Sequence, residues 1–324
     1  TAQGYRRVRY WPQLTQRAQR TSFTSRCLTM QLITALLRSI HIATACLAAA
    51  GPLLAAWLHS VAARGDDHAR QVGLRIVAWS LISLAVALGA GLLLGFQNHL
   101  AEENYGQLLA ALRAKMEWGI AELFFSVILI VIFWRWWQRT PQLGRGRSLL
   151  RCTLAVLAAT NLLYHFPLLF AVMDQLRTDP SLMGGGITSS EFRQLIIVPI
   201  VYTKAIHVIL AGIALACLAI MIVDSPDGQE STTITTSAAR ILLVTLLLQL
   251  VVGIWMLMVM PPAQRDSLIG MAGPAPWLLA LAVILWVALN QAVIPIAGGE
   301  KSGSRPRWLL GIMFVILLVM SMIA

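Results

Sequence analysis

Three histidines and one glutamate interrupt long apolar stretches of this sequence. They are His41, Glu117, His165 and His207. An ionisable side chain inside a membrane-length apolar run is costly to keep there, so each of the four is a candidate for function. Imidazole can ligate haem iron from facing helices, and imidazole and carboxylate groups can also carry protons in transporters. A single buried histidine can also serve packing alone, so these three interpretations stay open at this point.

The composition explains why these runs must be membrane spans. The chain has 324 residues, of which 58% are hydrophobic and only 12% are charged, and its mean hydropathy is +0.72. A soluble domain of this length carries about a quarter of its residues as charges. The bilayer is therefore the solvent, and the long continuous apolar runs favour helices over the strands of a barrel. The predicted fold is an all-α, polytopic integral membrane helix bundle.

Eight runs are long enough to cross about 30 Å of hydrocarbon. The predicted spans are 30–59, 72–97, 114–137, 148–174, 194–223, 238–260, 274–297 and 306–324. The predicted organisation is a basic N-terminal tail over 1–29 and a transmembrane helical bundle over 30–324. Because the linkers are short, we expect no soluble catalytic domain, and any chemistry must lie inside the bundle or at its rim.

The four candidate residues lie at related depths. His41 and Glu117 are near the starts of odd-numbered predicted spans, and His207 lies inside another odd-numbered span. His165 is near the end of an even-numbered span. Because odd spans begin on the face where even spans end, all four lie in or close to the same half of the membrane. Three imidazoles and a carboxylate at similar depth favour a haem b site over a proton-coupled transporter.

The basic residues of the short loops predict the orientation. With the N-terminus outside, twelve Lys and Arg lie on the cytoplasmic side and five on the opposite side. The basic tail has the opposite bias, and it could lie on a partner subunit or on anionic lipid headgroups. We expect a bacterial inner (cytoplasmic) membrane protein with its N-terminus outside. The net charge of +11 is concentrated at membrane edges, so we expect lipid contact and no nucleic-acid partner. The twelve are Arg64, Arg70, Arg75, Arg135, Arg139, Arg145, Arg147, Arg151, Arg240, Lys301, Arg305 and Arg307.

The four cysteines are scattered along the chain. Cys27, Cys46, Cys152 and Cys217 form no C-x-x-C or C-x-x-C-H pairing. A covalently attached haem c, an iron–sulfur cluster or a thiol redox centre is therefore not expected. Any haem should be non-covalent haem b.

The spacing around His207 is the most specific feature. The fifth span carries Pro199, Lys204 and His207, followed by Ala211 and Gly212. This pattern resembles subunit I of the cytochrome bd quinol oxidases, whose fifth helix carries P-x-x-x-x-K-x-x-H before a small residue and a glycine. The resemblance implies that His207 binds a low-spin haem b. It also implies that Lys204, one turn away on the same helix face, lies near a haem propionate.

Four further stretches resemble the same family in order, so the resemblance covers about 30–260. His41 lies where the family has an axial histidine of its second, di-haem site. The stretch 91–97 (GLLLGFQ) is similar to the family's G-x-x-x-E-F-Q, and 158–162 (AATNL) is similar to G-S-N-L. The stretch 116–119 (MEWG) resembles I-E-G, which implies that Glu117 is a ligand of the second site. His165 is then an additional candidate ligand for either site.

The departures from the family pattern are equally specific. Gly95 replaces a glutamate, and Phe125 stands where a second acidic residue is expected on the third helix, although Glu122 is nearby. The long quinol-binding loop is reduced to 261–274. No methionine lies near the start of the seventh span, where the family has the second axial ligand, although three methionines (Met256, Met258 and Met260) lie at similar depth on the sixth.

Taken together, these residues predict a haem b-binding membrane subunit that transfers electrons within a respiratory-type complex. The implied metal ligands are His41, His207 and Glu117, with one haem b or up to about three. A quinone is a further possible cofactor. The expected partners are other membrane subunits, lipids, and an electron donor such as a cytochrome c or a quinol. Terminal oxidase activity is in doubt because carboxylates are missing. The alternative is a haem-free structural subunit or a proton-coupled transporter on the same scaffold.

Overall fold

The structure is a computed structural model that describes residues 11–140, 144–183, 186–224, 233–270, 273–300 and 305–323, with side chains from Met30 onward. Within these ranges the chain forms eleven α-helices and one short 3₁₀ helix, and no strand. The helices are α1 Trp11–Ala62, α2 Asp67–Ala101, α3 Tyr105–Ala111, α4 Arg113–Arg139, α5 Arg145–Thr178, α6 Ser189–Ile196, α7 Pro199–Asp224, α8 Thr233–Val259, α9 Pro262–Ile269, α10 Ala275–Ala297 and α11 Arg305–Ile323. The 3₁₀ helix is Pro180–Met183.

Eight of these helices are long and apolar enough to span a membrane: α1 from Met30 onward, α2, α4, α5, α7, α8, α10 and α11. The predicted all-α fold and the number of spans are therefore confirmed. Most helix boundaries differ from the prediction by one to about five residues, and two differences have a clear consequence. Helix α1 begins at Trp11, within the predicted tail, and the fifth span begins at Pro199 instead of residue 194. Proline lacks the N–H that a helix interior needs, so it favours a helix start at this position.

Helix α7 lies at the centre of the bundle, where it packs against α1, α5 and α8. In the most apolar stretch of 18 residues of α7, 61% of the residues are buried, the highest share among the eight spans. Small residues allow the close approach, because a Cβ at Gly212 would lie 3.2 Å from the Cys46 carbonyl oxygen of α1. Without water to drive association in a bilayer, such close packing is a main source of helix–helix affinity.

The short helices all lie at one end of the bundle, which we call the N-terminal end because the α1 span starts there. Helix α3 joins α2 to α4, the 3₁₀ helix and α6 join α5 to α7, and α9 joins α8 to α10. Helix α6 is closed by a capping box in which Thr188 and Glu191 satisfy each other's backbone N–H groups. Ile187 donates its backbone N–H to the Ala111 carbonyl at 3.0 Å, which links this connection to α3.

Candidate functional site

The imidazole of His41 is held by the backbone of α2. Its Nδ1 lies 2.8 Å from the carbonyl oxygen of Ala87. A carbonyl oxygen can only accept, so Nδ1 carries the proton and Nε2 keeps its lone pair. Metal-binding histidines have this arrangement, in which the second ring nitrogen donates to a carbonyl or a carboxylate. His41 is therefore in the tautomer that can ligate iron through Nε2.

Gly91 explains how the His41 ring can lie against α2. It follows Ala87 by one helical turn, and a Cβ at this position would lie 2.8 Å from His41 Cε1 and 3.1 Å from Nδ1. Real Cβ atoms are not found so close to a ring, so any side chain at this position would push the His41 ring away from α2. On the other side, the edge of the ring faces Phe170 of α5, with a centroid distance of 6.4 Å. The first glycine of the stretch 91–97 thus makes room for the imidazole.

His165 forms a second oriented imidazole, between α5 and α4. Its Nδ1 lies 2.6 Å from Glu122 Oε2, a close contact that is not aligned as a hydrogen bond, and its buried Nε2 has no hydrogen-bond partner among the described residues. Gly119 lies beside that nitrogen, because a Cβ there would be 3.5 Å from Nε2. Asn161 fixes the two helices at this level by donating to the Glu122 carbonyl at 3.0 Å and to Ser126 Oγ at 2.9 Å.

Glu117, the predicted carboxylate ligand, has a different environment. Its side chain is 62% exposed and accepts a hydrogen bond from Arg113 Nε at 2.8 Å. The structure does not bring it to a histidine. Glu122, five residues further along α4, points to another side of the helix and reaches His165 instead. The rule that selected Glu117, an ionisable group within an apolar run, also applies to Glu122 and could have identified it.

His207 and Lys204 lie one turn apart on α7. The Nδ1 of His207 is buried with no hydrogen-bond partner. The ring faces α8 at Gly253, where a Cβ would lie 3.8 Å from His207 Cε1. Lys204 forms an ion pair with Asp174 of α5. Its charge is therefore already balanced within the chain.

The histidines fit non-covalent haem ligation better than a closed metal-ion site. Within the described ranges, His41, His165 and His207 each keep one ring nitrogen without a hydrogen bond. Glycines lie beside all three rings. The described residues contain no cluster of three or more His, Cys, Asp or Glu side chains that could hold a metal ion. An ion that needs four protein ligands is therefore not favoured, whereas haem brings four of its iron's ligands with it and needs one or two from the protein.

A group of charged side chains lies between His41 and the N-terminal end of the bundle. Arg177 of α5 pairs with Glu102 at the end of α2. Both residues line a cavity of about 190 Å³ together with Tyr105 and Pro180. Arg38 of α1 lies within electrostatic range of Arg177, Asp174 and Glu102. This end of the bundle is thus the polar end of the candidate site.

Comparison with known proteins gives a similarity in fold. No protein-family model and no curated protein sequence match this chain. A solved structure, the bd oxidase from Geobacillus thermodenitrificans, is similar with a TM-score of 0.69 and 13% sequence identity, over 91% of this chain and 84% of that one. An identity this low establishes the fold alone. The chain is an integral membrane protein of eight spans with a fold like that of bd oxidase.

Proposed function

We propose that this protein binds haem b non-covalently and transfers electrons as a membrane subunit of a respiratory-type complex. The observation that carries the proposal is the state of His41. Its Nδ1 donates to the Ala87 carbonyl, its Nε2 has no hydrogen bond among the described residues, and Gly91 leaves room for its ring. Metal-binding histidines have this arrangement of one donating ring nitrogen and one that keeps its lone pair. The bd oxidase fold supports the same function, because that fold belongs to a respiratory enzyme.

Three histidines would hold the cofactor in this proposal. His41 and His207 would each ligate the iron of one haem, and His165 would be a further ligand. Haem, when bound, supplies a one-electron redox couple. The Ala87 carbonyl orients His41, and Glu122 orients His165 while making its ring a stronger donor to metal. The role of Glu117 as a ligand stays a prediction, and its exposed pairing with Arg113 favours Glu122 as the functional carboxylate.

The proposed electron donors follow from the shortness of the connection between α8 and α10. The connection 261–274 is short and its described part holds the helix α9, so we infer that it offers no large loop for a quinol. Electrons would then enter from another membrane subunit, from a donor such as a cytochrome c, or from a quinol or quinone bound elsewhere in the complex. Gly95 and Phe125 cannot carry protons. Oxygen reduction is therefore not part of the proposal.

A difference spectrum of the purified protein tests the proposal directly. We expect the α-band of haem b in the reduced-minus-oxidised spectrum and a pyridine haemochrome of haem b. His41→Ala should lose one haem per chain. His99→Ala is the matched control, because His99 is exposed at the end of α2 and should leave the haem content unchanged. A wild-type protein without haem would refute the proposal and favour a haem-free structural subunit or a proton-coupled transporter.

A further inference from the structure

Arg38 is a cation inside a membrane span with no carboxylate of its own. It lies about 12 Å along α1 from Met30 and is half-buried. Among the described residues its hydrogen-bond partner is the Ser321 carbonyl oxygen of α11, and that bond is long, 3.4 Å from Nη1. Across the part of the chain that the structure describes, no carboxylate oxygen lies within 4 Å of its guanidinium. An intramembrane arginine in this state is costly unless it has a charged ligand.

The neighbouring carboxylates are already paired with other cations. Asp174 pairs with Lys204, and Glu102 pairs with Arg177. Three cations therefore face two carboxylates around Arg38, which leaves one positive charge without a counterion. This imbalance indicates that an anion belongs at Arg38.

The register of α1 against α5 places this charge next to the His41 imidazole. His41 faces Phe170, and Arg38, three residues earlier, lies within range of Asp174, which is one turn after Phe170. Because the two helices run in opposite directions, His41 and Phe170 form one layer. Arg38, Asp174 and Lys204 form the next layer towards the N-terminal end, about 5 Å away.

We propose that Arg38 binds a carboxylate of the haem held by His41, that is, one of its propionates. This inference rests on the proposed function. A guanidinium offers paired donors that match a carboxylate, and such charge-assisted hydrogen bonds are among the stronger ones in proteins. Lys204 is a poorer candidate for a propionate because Asp174 already neutralises it. A phosphate of an anionic lipid would offer Arg38 the same chemistry, so the test must separate the two sources.

The first measurement is a spectroelectrochemical titration of the purified full-length protein. Arg38→Gln removes the charge and should lower the midpoint potential of the haem band that His41→Ala abolishes, because a nearby cation favours the reduced form. Arg38→Lys keeps the charge and should retain most of the wild-type potential. Arg113→Gln is the matched control, since Arg113 is exposed and pairs with Glu117. It should leave the potential unchanged.

The second measurement compares haem b with its dimethyl ester, in which both propionates are uncharged. We expect the wild-type protein, reconstituted after haem extraction, to prefer haem b by about tenfold or more. Arg38→Gln should lose most of that preference. If this variant does not fold, the wild-type preference and the potential of Arg38→Lys still decide the matter.

The inference is overturned if Arg38→Gln keeps its haem with both the potential and the ester preference of the wild type. It is also overturned if that variant loses only co-purified anionic phospholipid, which would assign the site to a lipid phosphate. Equal binding of haem b and its ester by the wild-type protein is a third contradicting result. A wild-type protein that contains no haem refutes the proposed function itself and is detected before any variant is made.

Discussion

At the scale of single residues, the candidate ligands differ in what fixes their rings. The His41 ring is held by a backbone carbonyl and the His165 ring by a carboxylate. His207 has no hydrogen bond that fixes its ring in the part of the chain that the structure describes. A polar nitrogen left without a partner in an apolar medium costs on the order of several kcal/mol. His165 Nε2 is in the same state, so both rings would gain from binding iron, and His207 differs in having no contact among the described residues that orients its ring.

We expect His207→Ala to remove one haem and leave the bundle folded, because the backbone hydrogen bonds of α7 do not depend on the ring. The measurement is the haem-to-protein ratio together with the elution volume in size-exclusion chromatography. A histidine that only packs would instead give unchanged haem content and a lower Tm.

Lys204→Ala should keep this haem but lower its midpoint potential by roughly tens of millivolts, because it removes a partly screened cation. The variant leaves Asp174 as an unpaired negative charge, so the local charge falls by one unit. A redox titration checks the shift. A potential equal to that of the wild type would separate Lys204 from the haem that His207 is proposed to bind.

Glu122 and Glu117 form a matched pair on α4. Glu122→Gln should lower stability by about 1–3 kcal/mol, because it removes the charge that lies against His165 Nδ1 between two helices. Glu117→Gln removes an exposed ion pair, which is worth about 0–1 kcal/mol. Thermal unfolding of both variants is the measurement. Equal Tm values would show that the Glu122–His165 contact contributes nothing.

The sequence predicted the depth of the candidate residues but not which side chains they contact. Depth along an apolar run predicted that His41, His165 and His207 lie in the same half of the membrane. Which carboxylate reaches a histidine depends on how α4 is rotated against α5. That rotation is set by packing and by Asn161, and a spacing pattern on one helix does not contain it.

At the scale of helices, Gly91 and Gly119 differ in the room that each position leaves for a side chain. A methyl group at Gly91 would overlap the His41 ring, whereas at Gly119 it would make ordinary contacts of 3.5–3.6 Å with His165 and Leu169. We expect Gly91→Ala to displace the imidazole, to cost about 1–3 kcal/mol and to reduce haem content. Gly119→Ala should be neutral or slightly stabilising, because alanine favours helix by about 1 kcal/mol.

Differential scanning of the two variants, with haem quantified in each, checks this contrast. Equal Tm values and equal haem contents in the two variants would mean that α2 can move away from α1 at no cost in free energy. The glycine at 91 would then have no special role beside His41.

Hydropathy predicted the eight long helices but not the short ones. Helices α3, α6 and α9 span only seven or eight residues each, too few to give a clear amphipathic period. Their ends are fixed by local chemistry, such as the Thr188 cap, and by contacts between connections. Local chemistry of the same kind, the proline at 199, sets the start of the fifth span.

At the scale of the whole molecule, the loop charges predict an orientation that the fold leaves open. We expect the N-terminus and the 98–113 connection to face one side of the membrane and the 138–147 connection to face the other. The measurement is a reporter fusion or an accessibility tag at each of these three places. The same orientation for the two connections would contradict the eight-span topology.

The overall fold is shared with a bd oxidase at 13% identity, which shows how little of the sequence the architecture needs. Apolar spans of the right length and small residues at crossings suffice to form the bundle. Residues that carry an activity are not needed for the bundle to form. Similarity of fold therefore does not transfer the activity.

The depth of the histidines has an electrical consequence. His41, His165 and His207 each lie about a third of the way along their spans, counted from the N-terminal end. Moving one charge across a whole membrane at 100 mV involves about 2.3 kcal/mol. An electron that enters from the N-terminal end would cross about a third of that voltage, and one from the opposite end about two thirds. In oriented proteoliposomes, an imposed potassium diffusion potential should therefore shift haem reduction about twice as strongly for a donor on the far side.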